Sequence, residues 1–233
     1  MTNKKTPIAL ISGIVLIAIL IIAFLSYKEA NLPEEPREEP AITEEKNDKV
    51  EIVSIEENTD ALAIDVEYPT VGSPMIDNDL RMFIEDQIAE FKNNTGGFAI
   101  PGRQNILTIK VLDVYRDDET VSVKFSVYTD TGGAHGLGII VGKNYNRTTG
   151  TELFVDDALS MMRETLWSLS EKTLTHFRDE MGEVLFEDGL SPQTENFKNF
   201  TISEQYITFY FAPYQIAAYA LGPQEFTVER IDE

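Results

Sequence analysis

Cysteine is missing from all 233 residues. That excludes a disulfide framework, a thiolate metal site, a cysteine nucleophile and an acylated lipoprotein cysteine, so stability must come from packing alone. Histidine is nearly missing too, with only His135 and His176, which leaves little material for imidazole-based metal chemistry. Basic residues are scarce: 19 Lys and Arg stand against 40 Asp and Glu. Setting aside Lys4, Lys5 and Lys28 near the start leaves 16 bases against 40 acids, a charge of −24. Nucleic acid is excluded as a partner on that balance, because binding it relies on neutralising phosphates with Lys and Arg. A basic partner, or a solvated acidic surface that keeps the domain soluble, fits instead.

Hydrolase and nucleotide motifs are also absent. There is no Gly-x-Ser-x-Gly elbow, no His-Glu-x-x-His pair and no phosphate-loop lysine motif. Gly136, Gly138 and Gly142 faintly suggest a dinucleotide fingerprint, but Ile139-Ile140-Val141 reads as strand where that fingerprint needs a helix start. No cofactor and no metal are expected. Adjacent acid pairs follow from the abundance of acids: Asp117-Asp118 suits a turn, and Asp156 or Asp157 suits a helix cap.

What the sequence does contain is an apolar fraction of 42% with 13 Phe and 9 Tyr, a composition that folds. Long uncharged runs are limited to one, residues 8–25, which at 1.5 Å per residue just crosses a hydrocarbon layer of about 30 Å. Lys4 and Lys5 ahead of it place the N-terminus inside and the rest outside. The expectation is a single-pass membrane anchor over residues 1–28. A cleaved signal peptide is the alternative, although no small-x-small site follows closely. Residues 29–49, rich in Glu and carrying Pro33, Pro36 and Pro40, read as an extended stalk. Residues 50–233 then form one extracytoplasmic domain of ordinary size, with 130–150 as the place where two subdomains would divide.

Within that domain, alternation predicts a hairpin over 50–55 and 62–68. Ser73-Pro74 opens a helix whose apolar face is Ile76, Leu80, Phe83, Ile84, Ile88 and Phe91. It ends near Asn93-Asn94-Thr95-Gly96-Gly97. A second hairpin covers 105–115 and 120–128, with further strand over 139–146. A long helix starting at Asp156 or Asp157 runs to Met181, with Trp167 packing beside its apolar stripe. Strands at 197–202, 206–211 and 225–231 close the chain. Strands clustered around two principal helices without regular βαβ alternation indicate an α+β fold with a mainly antiparallel sheet.

One segment stands apart: Tyr128-Thr129-Asp130-Thr131-Gly132-Gly133-Ala134-His135-Gly136, at a strand end. Gly132 and Gly133 permit positive φ and close backbone approach, and His135 is the nearby imidazole. Such a loop can hold a ligand, or simply turn a strand. The C-terminal aromatics Tyr206, Phe209, Tyr210, Phe211, Tyr214 and Tyr219 are mostly expected in the core, with any exposed ring able to stack on a sugar.

Two blocks carry a resemblance. Tyr128 to Gly136 is similar to a Tyr-Thr-Gly-Gly-Ala-His-Gly motif, enlarged here by Asp130-Thr131, and residues 211–222 resemble Phe-x-Pro-Tyr-x-Ile-Ala-x-Tyr-Ala-x-Gly. These are marks of the extracytoplasmic domain of lysozyme-sensing anti-sigma proteins, found also in the non-catalytic region of peptidoglycan deacetylases. The resemblance implies a binding or sensory domain at the cell envelope, with a wall glycan or a wall-degrading enzyme such as lysozyme as partner. Its candidate ligand-binding residues are Tyr128, Gly132, Gly133, His135, Gly136, Tyr214 and Tyr219. With only residues 1–7 ahead of the apolar run, a grip on a sigma factor is not expected. The alternative is a cell-envelope carbohydrate-active enzyme using His135 and nearby carboxylates.

Overall fold

The computed structural model describes residues 49–95 and 102–231. The anchor, nearly all of the stalk, and Gly96-Gly97 of the predicted helix end lie outside the described residues. Among the described residues no helix is long and apolar enough to cross a membrane.

Among the described residues the fold is mixed α/β, with two sheets and three α-helices. Strands β1 (Glu51–Asn58) and β2 (Leu62–Thr70) form the predicted antiparallel hairpin, with Ile55 opposite Val66. Val53 and Ile55 of β1 turn inward onto the core, and in β2 Ile64, Val66 and Tyr68 are buried. Helix α1 (Pro74–Thr95) starts with a proline, whose missing amide costs nothing at a first helical position. The Asp77 amide bonds the Ser73 carbonyl at 2.8 Å, and its carboxylate takes the Val71 amide at 2.6 Å. Ile76, Leu80, Ile84 and Phe91 face the sheet, each contributing roughly 1.5–3 kcal/mol by leaving water.

After α1 come β3 (Asn105–Arg116), β4 (Thr120–Asp130) and β5 (Leu137–Asn146), giving a five-stranded sheet in the order β1-β2-β3-β4-β5. Three of the four neighbouring strand pairs are antiparallel as expected, but β2 and β3 run parallel. One βαβ crossover through α1 therefore sits inside the otherwise antiparallel sheet. A helix that returns the chain to the same end of the sheet requires it.

The long helix expected from 156 or 157 to 181 is interrupted. It is two helices, α2 (Val155–Met162) and α3 (Leu166–Met181). Arg163 enters the left-handed region at φ 53° and ends α2, and the Thr165 side chain caps α3 by accepting from the Ser168 amide at 3.1 Å. The first helix also starts earlier than Asp156. Phe154 precedes it, and the Asp157 carboxylate reaches back to the Phe154 amide at 2.8 Å. Trp167, expected to pack, is 64% exposed because the buried face of α3 is Leu169, Ser170, Thr173 and Phe177.

Helices α2 and α3 cover a second sheet, β6 (Phe200–Ile202), β7 (Tyr206–Phe211) and β8 (Gln224–Glu229), ordered β6-β7-β8. Its core is aromatic: Phe177 meets Phe211 edge-on at 5.7 Å, and Phe197 meets Phe209 at 5.9 Å. The two sheets meet where odd and even residues of β4 divide. Val121, Val123, Phe125 and Val127 bury themselves in the core shared with α1, whereas Ser122 and Lys124 face the second sheet. Ser122 Oγ accepts the Ile202 amide at 2.9 Å and donates to Asn144 Oδ1 at 2.7 Å. Asn144 Nδ2 in turn donates to the Phe200 carbonyl at 2.8 Å. Lys124 lies 4.4 Å over the Tyr210 ring. Gly142 lets β6 come this close, since a side chain there would overlap the Phe200 carbonyl.

Candidate functional site

The loop 131–136 joins β4 to β5, and the segment 212–223 joins β7 to β8. The seam just described brings these two connections together although they are about eighty residues apart.

Asp130, at the end of β4, sets the loop's shape. Its carboxylate accepts the Gly132 amide at 2.9 Å and the Arg103 guanidinium at 2.8 and 2.6 Å. The Gly132 amide foremost, then Arg103, holds the Asp130 carboxyl below the ordinary carboxylate range, so the clamp stays ionised. Gly132 takes φ +86°, the left-handed conformation glycine adopts freely. Gly133 does neither job expected of it. It is exposed, and an added Cβ would meet only the His135 carbonyl at 3.8 Å. Close approach belongs instead to Gly136, which the Tyr128 ring packs against so tightly that a Cβ would lie 2.6 Å from Tyr128 Cε2.

His135 lies over Tyr219, ring centres 3.8 Å apart and planes 23° from parallel. Its Nδ1 is 3.1 Å from the Gly136 carbonyl, and its Nε2 is 3.4 Å from the Tyr214 hydroxyl. A proton on Nδ1 would satisfy both, with Nδ1 donating to the carbonyl and Nε2 accepting from the tyrosine. The Tyr219 hydroxyl donates to the same Gly136 carbonyl at 2.7 Å. Tyr214 completes the group 5.7 Å from Tyr219, centre to centre. It holds φ +71°, uncommon for a residue with a side chain, and leaves its ring 57% exposed. A turn bond from its amide to the Ala217 carbonyl at 3.0 Å maintains that conformation.

Beside the rings opens a cleft of about 390 Å³, bordered by Tyr128, Gly138, Ile140, Pro213, Tyr219 and Pro223. Of the seven residues proposed from sequence, Tyr128, His135, Gly136, Tyr214 and Tyr219 are brought together. Gly132 shapes the loop, and Gly133 stands apart. Asp130 and Arg103 were missed, although Asp-Thr-Gly is an Asx-turn signal that points to the first of them. No carboxylate is hydrogen-bonded to His135 among the described residues, so the pairing a His-and-acid catalyst needs is not formed there. His176 sits elsewhere, on α3, against Phe226 and 3.4 Å from Glu180. Among the described residues no group of three or more His, Asp or Glu could hold a metal ion.

Two family models match separate stretches of the chain. Residues 55–138 match the family model described as deacetylase PdaC, and residues 151–230 match one described as a protein of unknown function, DUF3298. The peptidoglycan-N-acetylmuramic acid deacetylase PdaC of Bacillus subtilis (strain 168) is 27% identical over 194 residues, which cover 81% of this chain and 42% of that protein. The chain therefore spans less than half the length of this curated relative. The crystal structure of a DUF3298 family protein from Pseudomonas aeruginosa PAO1 superposes with a TM-score of 0.52 at 19% identity, covering 78% of this chain and 90% of the other, a likeness of fold. Tyr128 and His135 thus come from a segment similar to PdaC, and Tyr214 and Tyr219 from a segment similar to DUF3298 proteins.

Proposed function

We propose that this protein is an extracytoplasmic binding domain of the cell envelope, tethered to the membrane by residues 8–25, that takes hold of a wall glycan on the His135, Tyr214 and Tyr219 rings. One observation carries the reading: a pre-set cluster of three rings, with His135 and Tyr219 hydrogen-bonded to one carbonyl and Tyr214 half-exposed, lies beside an open apolar cleft that Tyr219 lines. Aromatic faces match the apolar C–H faces of sugar rings, and a site already in its bound shape loses little entropy on binding. The likeness of residues 55–138 to a deacetylase named for peptidoglycan supports the choice of ligand. The acidic charge supports a second partner, a basic wall-degrading enzyme such as lysozyme, through long-range attraction that salt would weaken.

The test is co-sedimentation of the full chain with purified peptidoglycan sacculi. Tyr214→Ala removes a half-exposed ring and should cost about 2 kcal/mol of binding, near thirtyfold, as central aromatic contacts do. His135→Ala should act similarly, both with melting temperatures close to the parent's. Retention of both variants at parental affinity would refute the glycan reading. A parallel titration with lysozyme at low and physiological salt checks the second partner, and no binding at either salt removes it.

A further inference from the structure

Sheet edges expose unpaired backbone groups, and proteins ordinarily guard them with charges, prolines, bulges, short strands or covering chain. Among the described residues three of the four sheet edges are guarded in that way. β1 presents Glu51, Ser54 and Glu56 outward, β8 presents Glu225 and Glu229, and β6 is only three residues long. The fourth edge is β5. Its upper half is covered, because Asn146 and Asn144 bond the chain at Thr151 and Leu153 at 2.8 and 2.7 Å. Its lower half, Leu137-Gly138-Ile139-Ile140-Val141, carries no charge, no proline and no bulge. Among the described residues, the backbone of these five residues bonds only to β4.

Those same residues lie between two clefts on opposite faces of the sheet. One is the 390 Å³ cleft beside the rings, bordered by Gly138 and Ile140. The other, about 230 Å³, lies on the α1 face between Phe91, Leu107, Val127 and Leu137, with Glu90 on its rim. Glu90 forms no ion pair among the described residues. Residues 49–231 carry 14 Lys and Arg against 30 Asp and Glu, so the surroundings favour a cation.

We propose that the lower half of β5 is a docking edge for an extended, cationic peptide segment of a partner protein, which adds as a sixth strand. Main-chain bonds to residues 137–141 supply affinity. Alternate side chains enter the two clefts, and a lysine or arginine of the segment meets Glu90. The inference does not depend on the glycan reading, since it rests on the strand edge and the two clefts that flank it, whatever ligand the rings take.

The probe is the synthetic peptide acetyl-Lys-Val-Leu-Val-Lys-amide, added to the full chain and followed by amide hydrogen exchange. Exchange at 137–141 should slow at least fivefold. The same peptide methylated on alternate backbone nitrogens, and its counterpart with Glu in place of Lys, should each bind at least tenfold more weakly. Leu137→Lys, at a 40% exposed position, should weaken the parent peptide at least fivefold while leaving sacculus binding intact. No protection at 137–141, protection at another edge instead, or equal binding of the methylated or acidic peptide would overturn the proposal. Because the readout is peptide protection and the glycan test is sacculus retention, failure of one leaves the other standing.

Discussion

The seam between the two sheets gives the most demanding prediction, Gly142→Ala. A Cβ at this position would overlap the Phe200 carbonyl oxygen and lie 2.6 Å from its carbonyl carbon. Carbon atoms rest at about 3.5–4.0 Å, so β6 must retreat by roughly 1 Å. That retreat stretches the Asn144-to-Phe200 bond of 2.8 Å and the Ile202-to-Ser122 bond of 2.9 Å past useful range. Both are buried, and each costs about 1 kcal/mol or more when left unmade. Overpacking adds about 1–3 kcal/mol. The expected loss is about 3–5 kcal/mol, a large share of the roughly 5–15 kcal/mol that holds a domain folded. With a urea slope of about 2 kcal/mol per molar, the midpoint should fall by about 2 M, read by far-ultraviolet circular dichroism. Gly138→Ala on the same strand is the control. Its Cβ would meet only Tyr128 Cδ2 at 3.9 Å, an ordinary contact, so its midpoint should move by less than about 0.5 M. Equal shifts for the two variants would refute the claim that β6 is seated by the absence of a side chain at 142.

Gly136→Ala should drive the Tyr128 ring out of the cleft wall, lowering sacculus binding several-fold while the urea midpoint moves by less than about 1 M; an unchanged affinity would show that Tyr128 does not border the ligand. Asp130→Asn should loosen the loop by removing the ionised clamp on Gly132 and Arg103, seen as faster amide exchange at 131–136 without global unfolding. At high pH the fold should weaken. Burial, then the bond to Asp117, pushes the Tyr115 hydroxyl from 10.0 up to about 12, and burial raises Tyr145 in the same direction. Groups whose folded pKa is raised stabilise below the unfolded value, so stability is full below pH 10 and falls between 10 and 12, and Tyr115→Phe should flatten that fall in urea titrations. At low pH the reverse holds for Asp117. Burial opposes its ionisation, but the Glu119 and Thr120 amides, the Tyr115 hydroxyl and Arg230 outweigh it, so stability drops as pH falls through 3.8, and Asp117→Asn should blunt that limb.

Much of the fold is legible in local pattern. Period-two alternation marks β1 to β4, and Ser73-Pro74 with the 3.6-residue spacing of Ile76, Leu80 and Ile84 marks α1. The break between α2 and α3 is not legible that way, because Leu159, Met162, Leu166 and Leu169 keep helical spacing across it. Thr165 is the visible cue, a capping residue inside an apparently continuous helix. The parallel pairing of β2 with β3 has no local signature at all, since a strand's sequence does not record its neighbour's direction. Trp167 misled for a related reason. Hydrophobicity alone does not say which side of a first helical turn faces the core.

The site shows the sharper limit. His135 and its glycines are readable as a loop with binding potential, and the Pro213-Tyr214 block stands out only through family resemblance. Their meeting is a tertiary event, fixed by contacts that carry no motif. Ser122, Asn144 and Gly142 look like unremarkable strand residues, yet they seat β6 on β4 and β5 and so bring the 212–223 connection onto the loop that holds His135. The ring cluster inherits its geometry from that polar, close-packed seam, while the apolar cores on either side supply the stability that lets the seam remain polar. Rings contributed by two separate stretches of a chain are therefore only as well ordered as the junction between those stretches.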